Sequence, residues 1–187
     1  MKLVDSILQI FGKDNSWHIS FLSEIAKVTK PKLYVEIGIY EAATINSVSK
    51  FAESAIGVDI NPNAKKFLKQ ENTQFVHGDS SKAAERIGKF SKTIDLCFID
   101  GDHSSGAAIS DFLNLKTFAS DSAIFCFHDT WPNSESDTAD NRCSDSYRVP
   151  NLLAELTKGD WSAITIPVYP GLTIAQKRGI KPLWMFK

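Results

Sequence analysis

Five short apolar runs, each followed within two residues by an acidic residue, a glycine or both, organise residues 33–129: Leu33–Ile37, Ala55–Val58, Gln74–His77, Ile94–Ile99 and Ala123–Phe127. Helix-compatible stretches separate them, from about Ala43 to Phe51, Asn63 to Gln70, Ser81 to Ile87 and Ala107 to Phe118. Strands alternating with helices pair in parallel, because each crossover returns the chain to the same end of the sheet. The fourth run, Ile94-Asp-Leu-Cys-Phe-Ile99, is almost continuously apolar, as a strand covered on both faces must be.

The flanks complete this frame. Apolar positions recur at helical spacing from Leu3 to Phe11 and from Ile19 to Val28, predicting two amphipathic helices over residues 1–30 before Pro31. Residues 131–146 are polar and carry no hydrophobic period, which predicts an active-site loop. A helix near Val149–Lys158 and strands near Ser162–Ile166 and Leu172–Lys177 follow, the strands separated by Pro167 and Pro170-Gly171. The expectation is a Rossmann-like α/β three-layer sandwich with a seven-stranded, mostly parallel sheet and an antiparallel last strand. With 187 residues, 43% of them hydrophobic, one core and one domain over 1–187 are expected.

A formal net charge of -1 gives no electrostatic reason to expect nucleic acid or an anionic membrane as partner. No apolar run is long enough to span a bilayer, and the opening MKLVDSILQIFGKDNSWH has no small-residue cleavage site. Cys97, Cys126 and Cys143 form no CxxC pair, and the first two lie in apolar runs, so a reducing, cytoplasmic setting is expected.

Ligands of open α/β sheets bind beyond the carboxyl ends of the strands. The residues there are Glu36 and Gly38, then Asp59, Asp79, Asp100 with Asp102, and His128 with Asp129. Helix capping accounts for Asp59 or Asp79 taken singly, but not for acids at successive strand ends.

The ordered set Glu36-Ile-Gly-Ile-Tyr-Glu-Ala-Ala-Thr44, Val58-Asp59, His77-Gly-Asp-Ser80, Ile99-Asp-Gly-Asp-His103 and Phe127-His-Asp-Thr130 resembles the class I S-adenosylmethionine-dependent methyltransferases, within them a small-molecule O-methyltransferase-like family. The resemblance implies S-adenosyl-L-methionine as cofactor. Gly38 would admit its carboxylate to backbone amides, Asp59 would accept from the ribose hydroxyls, Ile60 would pack on the adenine, and Asp79 with Ser80 beside it would meet the adenine amino group. Glu36, Thr44 and Asp100 complete the expected cofactor set. Two positions depart from the family pattern: Ala42 stands for the loop's second glycine, and Asp121-Ser122-Ala123 replaces a Pro-Gly-Gly before the fifth strand.

By the same resemblance, Asp100, His128 and Asp129 are the expected ligands of Mg²⁺ or another divalent cation, an oxygen-rich set with one imidazole. His103 is the candidate general base, with Asp100 beside it, since imidazole accepts protons near neutral pH. Trp131, Tyr147 and Arg148 are candidate walls for a small-molecule acceptor, and the apolar N-terminal helices admit a homodimer. Two other readings are weighed. A nicotinamide-dependent oxidoreductase lacks support because Gly38-Ile-Tyr-Glu-Ala42 is not a G-x-G-x-x-G loop. A non-catalytic nucleoside- or protein-binding relative draws on the missing glycines, while Asp100, His103, His128 and Asp129 speak for catalysis.

Overall fold

Helix α1 (Trp17–Thr29) leads into five parallel strands, β1 (Leu33–Ile37), β2 (Ser54–Asp59), β3 (Thr73–His77), β4 (Ile94–Ile99) and β5 (Ala119–His128). Between and after them lie α2 (Ala43–Val48), α3 (Ser80–Lys89), α4 (Ser105–Leu115) and α5 (Val149–Leu156), and the chain closes with β6 (Trp161–Ile166) and β7 (Leu172–Lys177). The seven strands form one sheet in the order β3-β2-β1-β4-β5-β7-β6. Among the described residues only β7 runs antiparallel, to both β5 and β6, as the sequence predicts. This computed structural model describes Ser6 and residues 16–89, 93–139 and 142–178. The expected first helix over residues 3–11 lies almost wholly outside them, as do residues 140–141 of the expected loop. No described helix is long and apolar enough to cross a membrane.

Alternating side chains divide the strands between two cores. Leu33, Val35 and Ile37 face the core formed with Ile87 of α3, Phe112 of α4 and Leu153 of α5. Tyr34, Leu96, Phe98 and Cys126 face the other, formed with Trp17 and Leu22 of α1 and Ile45 of α2. The strand order reverses between β1 and β4, which opens the crevice where such sheets bind ligands.

Gly38 is required at that point. Its φ is +82°, and a Cβ would overlap the carbonyl oxygen of Asp100 and lie 2.5 Å from the Gly101 Cα. The loops after β1 and β4 therefore touch backbone to backbone, with the Asp100 amide donating to Ile37 O at 2.8 Å and the Gly38 amide to Val58 O at 2.9 Å.

Two expectations about elements are corrected. The helix expected over 63–70 is a 3-10 turn, Pro62–Phe67, opened by the Asn61 side chain accepting from the Asn63 amide. It stops because Asn46 of α2 accepts the Lys69 amide and donates to the Phe67 carbonyl, both at 2.8 Å, taking groups that a longer helix would use itself. The fifth strand starts at Ala119 rather than Ala123. Its first part is polar and half exposed, so hydrophobicity hides it, and its register on β4 shifts between Ile94 and Leu96.

Candidate active site

The strand ends of the crevice form two clusters. In the first, Asp59 Oδ2 accepts the amides of Ile39 (3.1 Å) and Tyr40 (2.9 Å), and Oδ1 accepts the Asn61 amide (2.8 Å). The carboxylate thus ties the loop after β1 to the end of β2. That loop is bent through two left-handed non-glycine residues, Tyr40 (φ 45°) and Ala42 (φ 60°). Ala42 is the position where the family carries glycine, and its positive φ is the costly one for an alanine. It is also the N-cap of α2, which no side chain caps, with Thr44 buried in the first turn.

Asp79 Oδ1 accepts the Ser81 amide (3.0 Å) and the Ser81 hydroxyl (2.5 Å), at the start of α3. The hydroxyl bond is the main reason the Asp79 carboxyl sits below its usual range. Ser80 is buried, and its hydroxyl accepts from Asn114 at 2.9 Å and donates to Asp111. Its oxygen is therefore used within the α3–α4 packing. Ile60 and Tyr40, each 78% exposed, flank Asp59 as bare apolar surface. The Ile60 carbonyl is 3.0 Å from His77 Nε2, which links the ends of β2 and β3. Beneath the loop, buried Glu36 accepts from the Tyr34 hydroxyl and the Ile45 amide. Burial raises its carboxyl well above the usual range despite the tyrosine bond, and Asp100 adds to the rise.

The second cluster joins the ends of β4 and β5. His128 Nδ1 lies 3.0 Å from Asp100 Oδ1 and 3.3 Å from Asp129 Oδ1. His103 Nδ1 lies 3.2 Å from Asp129 Oδ2 and also meets the Arg142 carbonyl. The Cys143 thiol donates to Asp129 Oδ1 at 3.7 Å. Burial opposes charge on His128, but the two carboxylates prevail and raise its pKa to about 10. Burial likewise opposes charge on Asp129, yet His128, His103 and the thiol hold its carboxyl below the usual range. The thiol is pushed up to about 12 by burial and by Asp129, so it stays a neutral donor. Asp129 adopts φ 60°, a left-handed turn that aspartate tolerates better than most residues and that points its carboxylate back at both imidazoles.

Ligand atoms of Asp100, His103 and Asp129 all lie within 4.8 Å of one another. The grouping differs from the set expected from sequence, which held His128 in place of His103. The physical reason is that His128 is engaged on both sides, with Nδ1 against the Asp100 and Asp129 carboxylates and Nε2 against His18 Nδ1, so neither ring nitrogen is left for an ion. His103 Nδ1 also faces two acceptors, and Nε2 is then the ring's lone-pair nitrogen.

The loop after β5 is docked against this cluster. Ser146 Oγ donates to the His103 carbonyl at 2.5 Å, and Asp145 accepts the Ser105 amide (2.6 Å) and hydroxyl (2.8 Å) at the start of α4. Ser134 and Asp137 cap a short 3-10 turn, Glu135–Thr138, which Arg142 ties down through Asp137 at 2.8 Å. At its start, the Trp131 amide donates to Pro170 O, and a Cβ on Gly171 would lie 2.5 Å from the Trp131 Cβ. Trp131 and Tyr147 are left about half exposed. Asp102 accepts the Ser104 amide at 2.8 Å and serves its own turn.

One residue of the cluster escaped the sequence reading. His18 of α1 is buried, stacks on Phe98 with ring centroids 5.7 Å apart, and places Nδ1 3.1 Å from His128 Nε2. The available signal was a histidine among Trp17, Leu22 and Ala26 on the buried stripe of its helix. Its partner is 110 residues away, beyond the reach of any local pattern.

Solved structures of other proteins share this fold. The chain resembles the S-adenosylhomocysteine-bound methyltransferase PaMTH1 of Podospora anserina with a TM-score of 0.67 at 15% identity, covering 89% of this chain and 80% of that one. It resembles the O-methyltransferase of Bacillus cereus, in complex with the same molecule, with a TM-score of 0.69 at 14% identity over 94% and 90% of the two chains. It also resembles TomG of Streptomyces achromogenes, an O-methyltransferase involved in tomaymycin synthesis, with a TM-score of 0.71 at 12% identity over 94% and 87%. No curated protein sequence matches. A methyltransferase-domain family model matches residues 35–130, more than half of the chain and every strand end of the crevice, and the chain therefore belongs to that methyltransferase family.

Proposed function

We propose that the chain transfers the methyl group of S-adenosylmethionine to a hydroxyl of a small molecule. The observation that carries this reading is the division of the crevice into an acid-lined end at β1–β3 and an end at β4–β5 that assembles two carboxylates and an imidazole lone pair. At the first end, Asp59 keeps some accepting capacity for a ribose hydroxyl beyond its three amide bonds, since a carboxylate offers about four lone-pair sites. Exposed Ile60 and Tyr40 offer apolar surface to a purine, and the exposed Asp79 carboxylate can accept from its amino group. Ser80 contributes through its backbone, and Gly38, Thr44 and the uncapped amides of α2 border the place for the cofactor's carboxylate. Glu36 and Asp100 support this floor from beneath.

At the second end, Asp100, Asp129 and His103 fit a hard divalent cation such as Mg²⁺, two carboxylate oxygens and one imidazole nitrogen being within reach of one centre. Such an ion, when bound, lowers the pKa of an acceptor hydroxyl. When it is not bound to the cation, His103, held through Nδ1 by Asp129, can receive the acceptor proton on Nε2 as oxygen attacks the methyl group in line with sulfur. Trp131 and Tyr147 supply aromatic surface for the acceptor.

Calorimetric titration tests the reading, with S-adenosylmethionine and, separately, NAD⁺, each with and without Mg²⁺. Saturable binding of the sulfonium, weakened in D59N, is expected. Binding of NAD⁺ instead, or of neither, overturns it. The variant H103Q separates the two uses of the imidazole: turnover lost with cation affinity kept marks a base, and both lost marks a ligand.

A further inference from the structure

The hydrogen-bonded chain does not end at the strand tips. Asp100 and Asp129 bracket His128 Nδ1, and His128 Nε2 meets His18 Nδ1 at 3.1 Å, so one continuous path runs from α1 into the β4–β5 cluster. The path is held by packing. The rings of His18 and His128 lie 4.2 Å apart between centroids, and both lean on Phe98, His18 stacked at 5.7 Å and His128 edge-on at 5.8 Å. The neighbouring Trp17 is buried and donates through Nε1 to Tyr169 O at 3.0 Å, which fixes the helix against the turn before β7.

A ring that bonds through only one nitrogen can swing about the bond to its Cβ, whereas one bonded at both nitrogens has a fixed plane. His128 is of the second kind, and the bond that makes it so comes from outside the sheet.

We infer that His18 is a positioning residue for the methyl-transfer site: it locks the His128 ring so that Nδ1–H stays directed at Asp100 and Asp129, and thereby fixes the spacing of those two carboxylates. The inference rests on the functional reading above for its catalytic meaning, but the lock itself is a property of the ring. The site is thus completed by α1, a helix outside the segment 35–130 that carries the family match. Asp100, Asp129 and His103 act on substrate or cation, and His18 acts on them through His128.

Two substitutions separate the lock from packing. His18→Phe keeps a ring against Phe98 but removes the nitrogen; His18→Asn places an amide near the Nδ1 position and keeps a polar partner. In ¹⁵N-labelled protein, long-range ¹H–¹⁵N spectra report the ring nitrogens of His128, assigned by their loss in H128Q. A protected Nδ1–H signal is expected in the wild type and in H18N and is expected to vanish or exchange rapidly in H18F, while the unfolding midpoint of H18F stays within a few degrees of the wild type. Mn²⁺ affinity, read by electron paramagnetic resonance, is expected to fall roughly tenfold in H18F and to be recovered largely in H18N, in line with outer-shell partners of metal ligands. An unchanged His128 signal in H18F overturns the inference, whatever the metal does. If the wild type binds no Mn²⁺, the metal part of the functional reading fails, and the spectra still decide the lock. Should H18F not fold, H18N decides alone, and loss of the protected His128 signal there overturns the inference.

Discussion

At the ends of β2 and β3, the carboxylates of Asp59 and Asp79 bond mainly to backbone amides of adjoining turns, no more than 20 residues away. At the ends of β4 and β5, Asp100 and Asp129 bond to imidazoles and a thiol, and the chain continues to a histidine 110 residues distant. The first arrangement is exposed and shapes a loop. The second is more enclosed, with Asp129 buried, and its groups alter one another's protonation. Acids that hold backbone can receive a neutral ligand without changing charge, whereas acids that face imidazoles are prepared to hold a cation or manage a proton. Both ends hang on Gly38, where the two loops touch.

The largest expected effect therefore comes from Gly38→Ala. Its Cβ would overlap the Asp100 carbonyl in a backbone conformation that alanine resists, and neither neighbour is a flexible side chain. A loss of about 4 kcal/mol or more is expected, in the range reserved for severe core or backbone conflict. Urea denaturation checks it. A variant within 1 kcal/mol of the wild type would mean that the two ends are not mechanically joined there.

Asp129→Asn should come next and should distinguish the ends. The amide keeps the size of the carboxylate but no longer supports the imidazoles at His103 and His128. Turnover with any accepted substrate should fall by about 10²-fold or more, the usual range for a general acid–base partner. Binding of S-adenosylhomocysteine should change less than threefold, because the first end is untouched. Equal losses of both would deny the division.

The two ends also predict a dependence on pH. The folded His128 pKa of about 10 lies above the ordinary histidine value. Its contribution to stability is thus complete below about pH 6.5, the unfolded value, and is lost as pH rises through about 10. For Asp129, whose folded pKa is lowered, the contribution is present above the unfolded carboxyl range and is lost as pH falls through the folded value. Urea midpoints measured from pH 7 to 10.5 should decline more steeply for the wild type than for H128Q. Parallel slopes would show that the imidazole is not held charged by Asp100 and Asp129.

The comparison also explains what the sequence disclosed. Strand positions, the single antiparallel strand and the acids at strand ends follow from periodicity and from turn residues a few positions apart, and they were legible. The 3-10 turn Pro62–Phe67 was not, because Asn46 ends it through bonds from another element. The early start of β5 was hidden by the exposed polar residues Asp121 and Ser122. In the site, the acids at the strand ends were legible as positions, and Asp59 and Asp79 are found holding turns, the role the sequence offered only as helix capping, whereas the grouping of His103 with Asp100 and Asp129 depends on ring orientation. His18 depends on a tertiary contact with no local trace. Residues defined by neighbours in sequence were visible, and those defined by neighbours in space were not.

The smallest expected effect tests the first end alone. Ala42→Gly relieves a left-handed alanine, which gains about 1 kcal/mol. The Ala42 methyl is, however, fully buried beside Ile39 and Ile45, and removing one buried methyl group costs about 0.8 kcal/mol. The two effects nearly cancel, so the unfolding midpoint should move by less than about 2 °C in a chain of this size. The cofactor end should respond differently, because glycine frees the loop whose Ile39 and Tyr40 amides are held by Asp59. Affinity for S-adenosylhomocysteine should rise up to about threefold if the strained loop impedes the ligand, since relief of roughly 0.6 kcal/mol on binding corresponds to that factor. A midpoint raised by 4 °C or more with affinity unchanged would show instead that the strain is a cost to the fold with no bearing on the cofactor end.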